Sequence, residues 1–347
     1  MEQLTIAGRQ IGEGLAPYVI AEIGSNHNGD MQLCRALVDA AQAAGADAVK
    51  FQSWTRDSLI SSAEYARNTR YAAEQRAPTL EEAVVQYQMT PDRMREISAY
   101  CVERDIACFA SCFSAAEVDL LEALDAPAYK VASMDVNHLP LLQHIAATGR
   151  PVLLSVGMAT LGEVERALAA LQDGGPVALL HCVSIYPSPP EVVNLRQLDT
   201  WRKAFGVPVG YSDHTLGVAV PLAAVALGAC VIEKHFTLDR SLEGWDHAIS
   251  ADPAELRALV DGAREVHQAL GSAARVVSPA ELEKRKAFRR RMVATRPMRQ
   301  GELLTAGDVD FKRPGTGIQP DELAYALGRS LARDVTADEE LAWSDLS

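Results

Sequence analysis

The chain has no CxxC pair. Its six cysteines, at positions 34, 101, 108, 112, 182 and 230, are scattered and fall mostly inside apolar runs. That spacing argues against a thiolate metal cage or a disulfide framework and predicts reduced thiols, mostly in the core, in a cytoplasmic setting. No apolar run reaches the roughly 18 residues of a membrane span, so none is expected to cross a bilayer. The opening MEQLTIAGRQIGEG has neither a basic n-region nor an apolar h-region, so no secretory leader is expected. Excess positive charge is also missing. A formal charge of -13 opposes a broad nucleic-acid or anionic-membrane surface, while leaving room for a small basic pocket. No GxGxxG turn follows the first apolar run, which continues instead as IGSNHNGD.

What is present is alternation. With 347 residues, 48% of them apolar, the chain has material for one large domain and a small one. Short apolar runs recur at 18–23, 47–52, 106–111, 128–133, 151–157, 176–184, 207–213 and 229–236, with helical patterns between them. In MQLCRALVDAAQAAGA, Leu33, Leu37, Ala40, Ala41 and Ala44 share one helical face, and Gly45 can end the helix. Thr90 and Pro91 read as the N-cap and first residue of another helix. Continuous apolar strands suit a sheet buried on both faces. Eight strand–helix units predict an α/β fold, a (β/α)8 TIM barrel, with a doubly wound open sheet as the alternative. A polar insertion interrupts the pattern at about 53–90. The composition changes near residue 272: the basic stretch EKRKAFRRR reads as a solvated helix or linker, and a small domain of roughly 60 residues follows.

The apolar runs end on polar residues. Glu22 ends the first, Lys50 and Gln52 the second, Ser111 the third, and Lys130 and Ser133 the fourth, with Asp135 just beyond. Ser155 ends the fifth; His181, Ser184 and Tyr186 mark the sixth; Ser212, Asp213 and His214 the seventh; Glu233 and His235 the eighth. A barrel gathers these ends at one mouth. Any single serine there reads equally well as a local hydrogen-bond partner; the whole set does not. His214 and His235, on adjacent strand ends with Glu22 nearby, form a pair able to bind a divalent metal. Lys50 and Lys130 lie on buried strands, where an unpaired ammonium is costly. Three readings fit them: binding of a small phosphorylated anion, a Schiff-base amine, or structural salt bridges, for example Lys130 with Glu22 or Glu233.

AEIGSNHNG, DAVKFQ, AYKVAS, SVGMAT, HCVSIYPSP, GYSDHT, IEKHF, GWDH and KRPGTG together resemble the sialic acid synthase family, over about residues 16–345. The last part resembles that family's antifreeze-like, or SAF, module. The resemblance implies a barrel over 1–272, a linker over 273–288 and a SAF domain over 289–347. It implies condensation of phosphoenolpyruvate with a hexosamine-type aldose, giving a 3-deoxy nonulosonic-type keto acid and phosphate. It implies a divalent cation, manganese before magnesium or cobalt, on His214 and His235. Phosphoenolpyruvate would meet Lys50, Ser111, Lys130, Ser133, Ser155, Ser184 and Ser212. The acceptor would meet Glu22, Gln52, Asn68, Asp135, Tyr186, Trp245 and Asp246. The implied assembly is a domain-swapped homodimer, with Arg313 delivered to the partner's mouth, and no nucleic-acid or membrane partner.

Several positions depart from the family's commonest wording. ASCF stands at 110–113 for STPF, ASMD at 132–135 for GSGE, SVGM for STGM, Ser184 for asparagine, GWDH for GPDH and KRPGTG for KRPGNG. These departures raise a non-acetamido aldehyde as an alternative acceptor. A Schiff-base pyruvate aldolase and a non-catalytic sugar-binding protein are the competing functions.

Overall fold

A computed structural model describes residues 3–68 and 79–347. It divides into two compact units, Met1–Gly271 and Ser272–Ser347.

The first unit opens with a feature the strand–helix alternation did not predict. β1 (Leu4–Ile6) and β2 (Arg9–Ile11) form an antiparallel hairpin across the two-residue turn Ala7-Gly8, both at positive φ. The apolar residues Leu4, Ile6 and Ile11 are fully buried. They pack with Tyr18, Ile20, Phe109, Leu153, Leu180 and Val231, inside the barrel near the strand beginnings. The hairpin plugs that end.

Eight parallel strands follow: β3 (Tyr18–Gly24), β4 (Ala48–Gln52), β5 (Ala107–Ser111), β6 (Tyr129–Val131), β7 (Val152–Ser155), β8 (Val177–Cys182), β9 (Val209–Asp213) and β10 (Val231–His235). They close in sequence order, with β10 paired to β3. The open-sheet alternative is therefore excluded. Helices cover the outside and share with the strands a large apolar layer that includes Leu37, Val49, Ile97, Leu154 and Leu259. The helix Met31–Ala44 is capped by the Asp30 carboxylate, which accepts backbone N–H bonds, and it ends at Gly45 in the left-handed region. The helix Pro91–Glu103 has Thr90 as its N-cap and proline in its first turn.

Within the insertion lie the short helices Arg56–Leu59, Ser62–Arg67 and Leu80–Tyr87. Tyr65, Leu80, Val84 and Tyr87 build an apolar cluster around Trp54 and Phe113, with Trp245 packed against it. Residues 69–78 of this insertion lie outside the described residues.

In the second unit, most of the segment expected to be a linker is a helix, Pro279–Phe288, with a Ser278–Glu281 capping box. It is exposed throughout. An antiparallel pair, β11 (Arg291–Ala294) and β12 (Val309–Lys312), follows. Met292, Met298, Leu304, Ile318, Leu331 and Leu341 form the core of this unit. Among the described residues no helix is long and apolar enough to cross a membrane.

Candidate active site at the barrel mouth

Parallel register decides which side chains meet. Glu22 is level with Lys50, Gln52 with Ser111, Ser111 with Lys130, Ser212 with Glu233, and His235 with Glu22. The residues that ended each apolar run therefore form a ring at the strands' C-terminal ends, where a TIM barrel carries its chemistry. They line a cavity of about 450 Å³.

The two mouth lysines are both buried but differ in partners. Lys50 Nζ lies 2.6 Å from Glu22 Oε2 and 3.9 Å from Glu233 Oε2, and donates to Ser111 Oγ at 2.9 Å. Burial works against its ammonium, but the two carboxylates outweigh it and leave the pKa raised. Lys130 Nζ donates to the Val131 carbonyl at 3.0 Å, and no ion pair holds it among the described residues. Burial lowers its pKa, with Glu233 opposing. The salt bridge expected of Lys130 with Glu22 or Glu233 thus falls to Lys50 instead.

The carboxylates divide as well. Burial pushes Glu22 up to about 7, with Lys50 pulling down and Glu233 pushing up. Glu233 is held below the usual range despite burial, because Lys130 and Lys50 face it and Ser212 Oγ donates to it at 2.9 Å. Asp246, raised to about 6 by burial, sits with Oδ2 3.8 Å from His235 Nδ1.

His214 Nδ1 is 2.8 Å from the Val183 carbonyl. A carbonyl only accepts, so Nδ1 carries a proton. Burial works against the charged ring, but Cys182 and the Val183 carbonyl outweigh it and leave the pKa raised. The His214 and His235 rings are 5.4 Å apart between centroids, and Tyr186 lies 4.0 Å from the His214 ring. His235 is buried and held neutral, its pKa well below the ordinary value through burial and the cations around it. Its Nδ1 finds no hydrogen-bond partner among the described residues. Two imidazoles on neighbouring strand ends, one of them neutral with an orphaned nitrogen, fit a divalent cation that takes its remaining oxygen ligands from substrate or water. Among the described residues no group of three or more His, Cys, Asp or Glu is placed to hold a metal.

Opposite lies a hydroxyl-rich wall. Ser155 Oγ is buried without a hydrogen-bond partner among the described residues. Ser133 Oγ accepts from Gly157 N at 3.0 Å. A Cβ on Gly157 would stand 2.6 Å from Ser184 Oγ and 2.8 Å from Ser133 Oγ, so only glycine lets both hydroxyls close on this backbone.

The family model for the NeuB family matches residues 37–275, and that for the SAF domain residues 289–347. The chain belongs to the NeuB family. It is 38% identical to the N,N'-diacetyllegionaminic acid synthase of Legionella pneumophila, with 96% of each chain covered. It is 33% identical to the human N-acetylneuraminate-9-phosphate synthase, covering 96% of this chain and 94% of the relative. The solved N-acetylneuraminic acid synthetase of Leptospira borgpetersenii superposes with a TM-score of 0.73 at 32% identity, covering 83% of this chain and 97% of that one.

Within this NeuB-family barrel, fifteen of the residues singled out from sequence line the mouth cavity: Glu22, Lys50, Gln52, Ser111, Lys130, Ser133, Ser155, Ser184, Tyr186, Ser212, His214, Glu233, His235, Trp245 and Asp246. Five do not: Asp135, Asn68, Arg313, Asp213 and His181, whose Nε2 lies 2.6 Å from the Val193 carbonyl. Asp135 lies on a single 3-10 turn, Ser133–Asp135, that breaks the strand's alternation and turns it away from Ser133. Asn68 follows the helix Ser62–Arg67, and its amide donates to Glu64 at 3.3 Å. Arg313 belongs to the second unit, exposed, with its guanidinium 5.2 Å from the Phe288 ring centre. Cys182 and Trp54 line the cavity and were not singled out for it. Trp54 lies beyond its strand, where no periodicity applies.

A buried pair braces the outer face of the same strand ends. Lys234 Nζ lies 2.5 Å from Asp213 Oδ2 and donates to the Thr215 carbonyl at 2.7 Å. Both charges flank the histidine-bearing ends of β9 and β10 and hold them together.

Proposed function

We propose that this chain condenses phosphoenolpyruvate with an aldose, releasing phosphate by C–O cleavage and forming a 3-deoxy nonulosonic-type keto acid. The observation that carries the reading is the pairing, within one cavity, of two buried lysines and a hydroxyl wall with two imidazoles, one of them held neutral. A trianionic phosphate ester suits the first group and an aldehyde oxygen the second.

In this reading Lys130, Ser155, Ser133 and Ser184 bind phosphate and carboxylate oxygens, and Lys50 joins them while anchored by Glu22. The C3–carbonyl bond forms as positive character develops at C2, where Glu22 and Glu233 offset it. Water adds at C2, the C2–O bond to phosphorus breaks, and phosphate leaves with its oxygen. Glu22, poised near neutrality, holds the proton given up by that water. A divalent cation, manganese before magnesium or cobalt, held by His214 and His235, would supply Lewis-acid polarisation of the acceptor. Gln52, Tyr186, Trp245 and Asp246 would frame the acceptor. The relatives' names carry different products, so the acceptor is part of the proposal: an acetamido hexose first, a non-acetamido aldehyde second. A homodimer in which Arg313 serves the partner's mouth belongs to the same proposal.

One observation favours a second reading. Lys130 has no ion pair among the described residues and a lowered pKa, which suits an amine forming a Schiff base with pyruvate. Phosphate release from phosphoenolpyruvate with manganese, across N-acetylmannosamine, its 6-phosphate, 2,4-diacetamido sugars and plain aldoses, decides between them. Turnover with no covalent adduct after borohydride and pyruvate supports condensation; trapping on Lys130 without phosphate release supports the aldolase. Neither result would leave a binding protein.

A further inference from the structure

One aromatic residue at the rim, Trp54, has no part in the chemistry above, yet it reaches it. Trp54 follows β4 by two residues and is 2% exposed. Its ring is stacked on Trp245 with centroids 5.5 Å apart, and Tyr87 meets Trp245 edge-on at 5.2 Å. Trp54 Nε1 donates to Gln52 Oε1 at 2.9 Å. An indole nitrogen can only donate, so this contact decides which way the Gln52 amide faces. Gln52 Nε2 is left to donate to Glu22 Oε1 at 2.9 Å. The other oxygen of Glu22 is the one 2.6 Å from Lys50. The backbone makes room for this arrangement. Gly24 has a φ of +54°, and a Cβ there would stand 3.0 Å from Glu22 Oε1 and 3.2 Å from Gln52 Nε2.

We propose that Trp54 is a positioning residue: its donor-only indole, clamped by Trp245, locks the Gln52 amide with its NH2 toward Glu22 and so fixes the Glu22 carboxylate on Lys50. The inference rests on the condensation reading for its link to turnover. A flipped Gln52 would set its carbonyl oxygen against a carboxylate oxygen, two acceptors with no proton between them. The indole N–H removes that state. The stack also ties the end of β4 to the loop that carries Asp246, so two sides of the mouth share one orientation. Trp54 acts on Glu22 through Gln52.

The test uses the full chain. Trp54→Phe keeps a ring in the stack and deletes the N–H. Misplacing a reacting group is costly, so kcat for phosphate release should fall about tenfold while the KM for phosphoenolpyruvate stays within about twofold. Gln52→Leu should cost at least as much, and the double variant no more than Gln52→Leu alone. A second readout needs no turnover. With indole-15N tryptophan, the Trp54→Phe spectrum assigns the Trp54 signal, and Glu22→Ala should move that signal while those of Trp201 and Trp343 stay. Full additivity of the two substitutions, a lower Tm with kcat retained, or a Trp54 signal indifferent to Glu22→Ala would each overturn the proposal. If the wild type releases no phosphate with any acceptor while the signal follows Glu22, the condensation reading fails and the locked amide stands.

Discussion

The two ends of the barrel are made by the same eight strands and treat polar groups in opposite ways. At the plugged end Arg9 is paired with Asp47 and donates to the Pro17 carbonyl at 2.9 Å, and Asp47 Oδ2 accepts from Val19 N at 2.7 Å. Leu4, Ile6, Ile11 and their apolar neighbours fill the barrel beside them. At the mouth, among the described residues, Ser155 Oγ and His235 Nδ1 are buried without hydrogen-bond partners, and Lys130 has only a carbonyl of its own strand. Buried polar atoms left unsatisfied cost free energy. A fold that satisfies them at one end and not at the other reserves the second end for a ligand that brings the missing partners.

That contrast can be broken from either side. The largest effect is expected from Lys50→Met, which leaves Glu22 and Glu233 facing each other without their shared cation. Phosphate release should fall by about three orders of magnitude, the scale of removing a charge-stabilising group, read in a steady-state assay. Lys234→Met comes next. It strands Asp213 in the buried face behind the histidines, and breaking such a pair costs about 3–5 kcal/mol, measured as a shift of the denaturation midpoint. At the plugged end, Ile6→Ala should cost about 2–5 kcal/mol of stability through the cavity it leaves, with kcat unchanged. A fall in kcat equal to that at the mouth would erase the distinction between the ends.

The smallest effect concerns pH. Burial raises Glu22 from an ordinary 4.5 to about 7. Between those values the folded chain binds more protons at Glu22 than the unfolded chain does, so its contribution to stability is full below about 4.5 and is lost as pH rises through about 7. Comparing Tm at pH 5 and pH 7.5 should show a smaller loss in Glu22→Gln than in the wild type. An identical loss in both would show that Glu22 titrates normally.

The mouth was readable from sequence because strand ends are: an apolar run that stops on Glu22, Lys50 or His235 announces its own register, and closure of the barrel does the rest. Legibility failed where backbone geometry departs from a strand. Asp135 sits two residues beyond Ser133, which in a strand would put both on one face; the single 3-10 turn between them does not. Trp54 lies past the end of β4, and its hydrogen bond to Gln52 depends on a turn with no periodic signature. The plug at the other end did carry a signal, two short runs across an Ala-Gly pair, but three-residue strands are too short for alternation to stand out. The family's wording, and no periodicity, supplied Arg313 and Asn68.

The fate of the bridging oxygen of phosphoenolpyruvate tests the central claim most directly. With that oxygen labelled as 18O and an aldose that supports turnover, the label should leave entirely in inorganic phosphate, because water supplies the new oxygen at C2. Label kept in the keto acid would mean that the P–O bond breaks instead, and would contradict a mouth whose carboxylates and lysines act on water addition and C–O cleavage at C2.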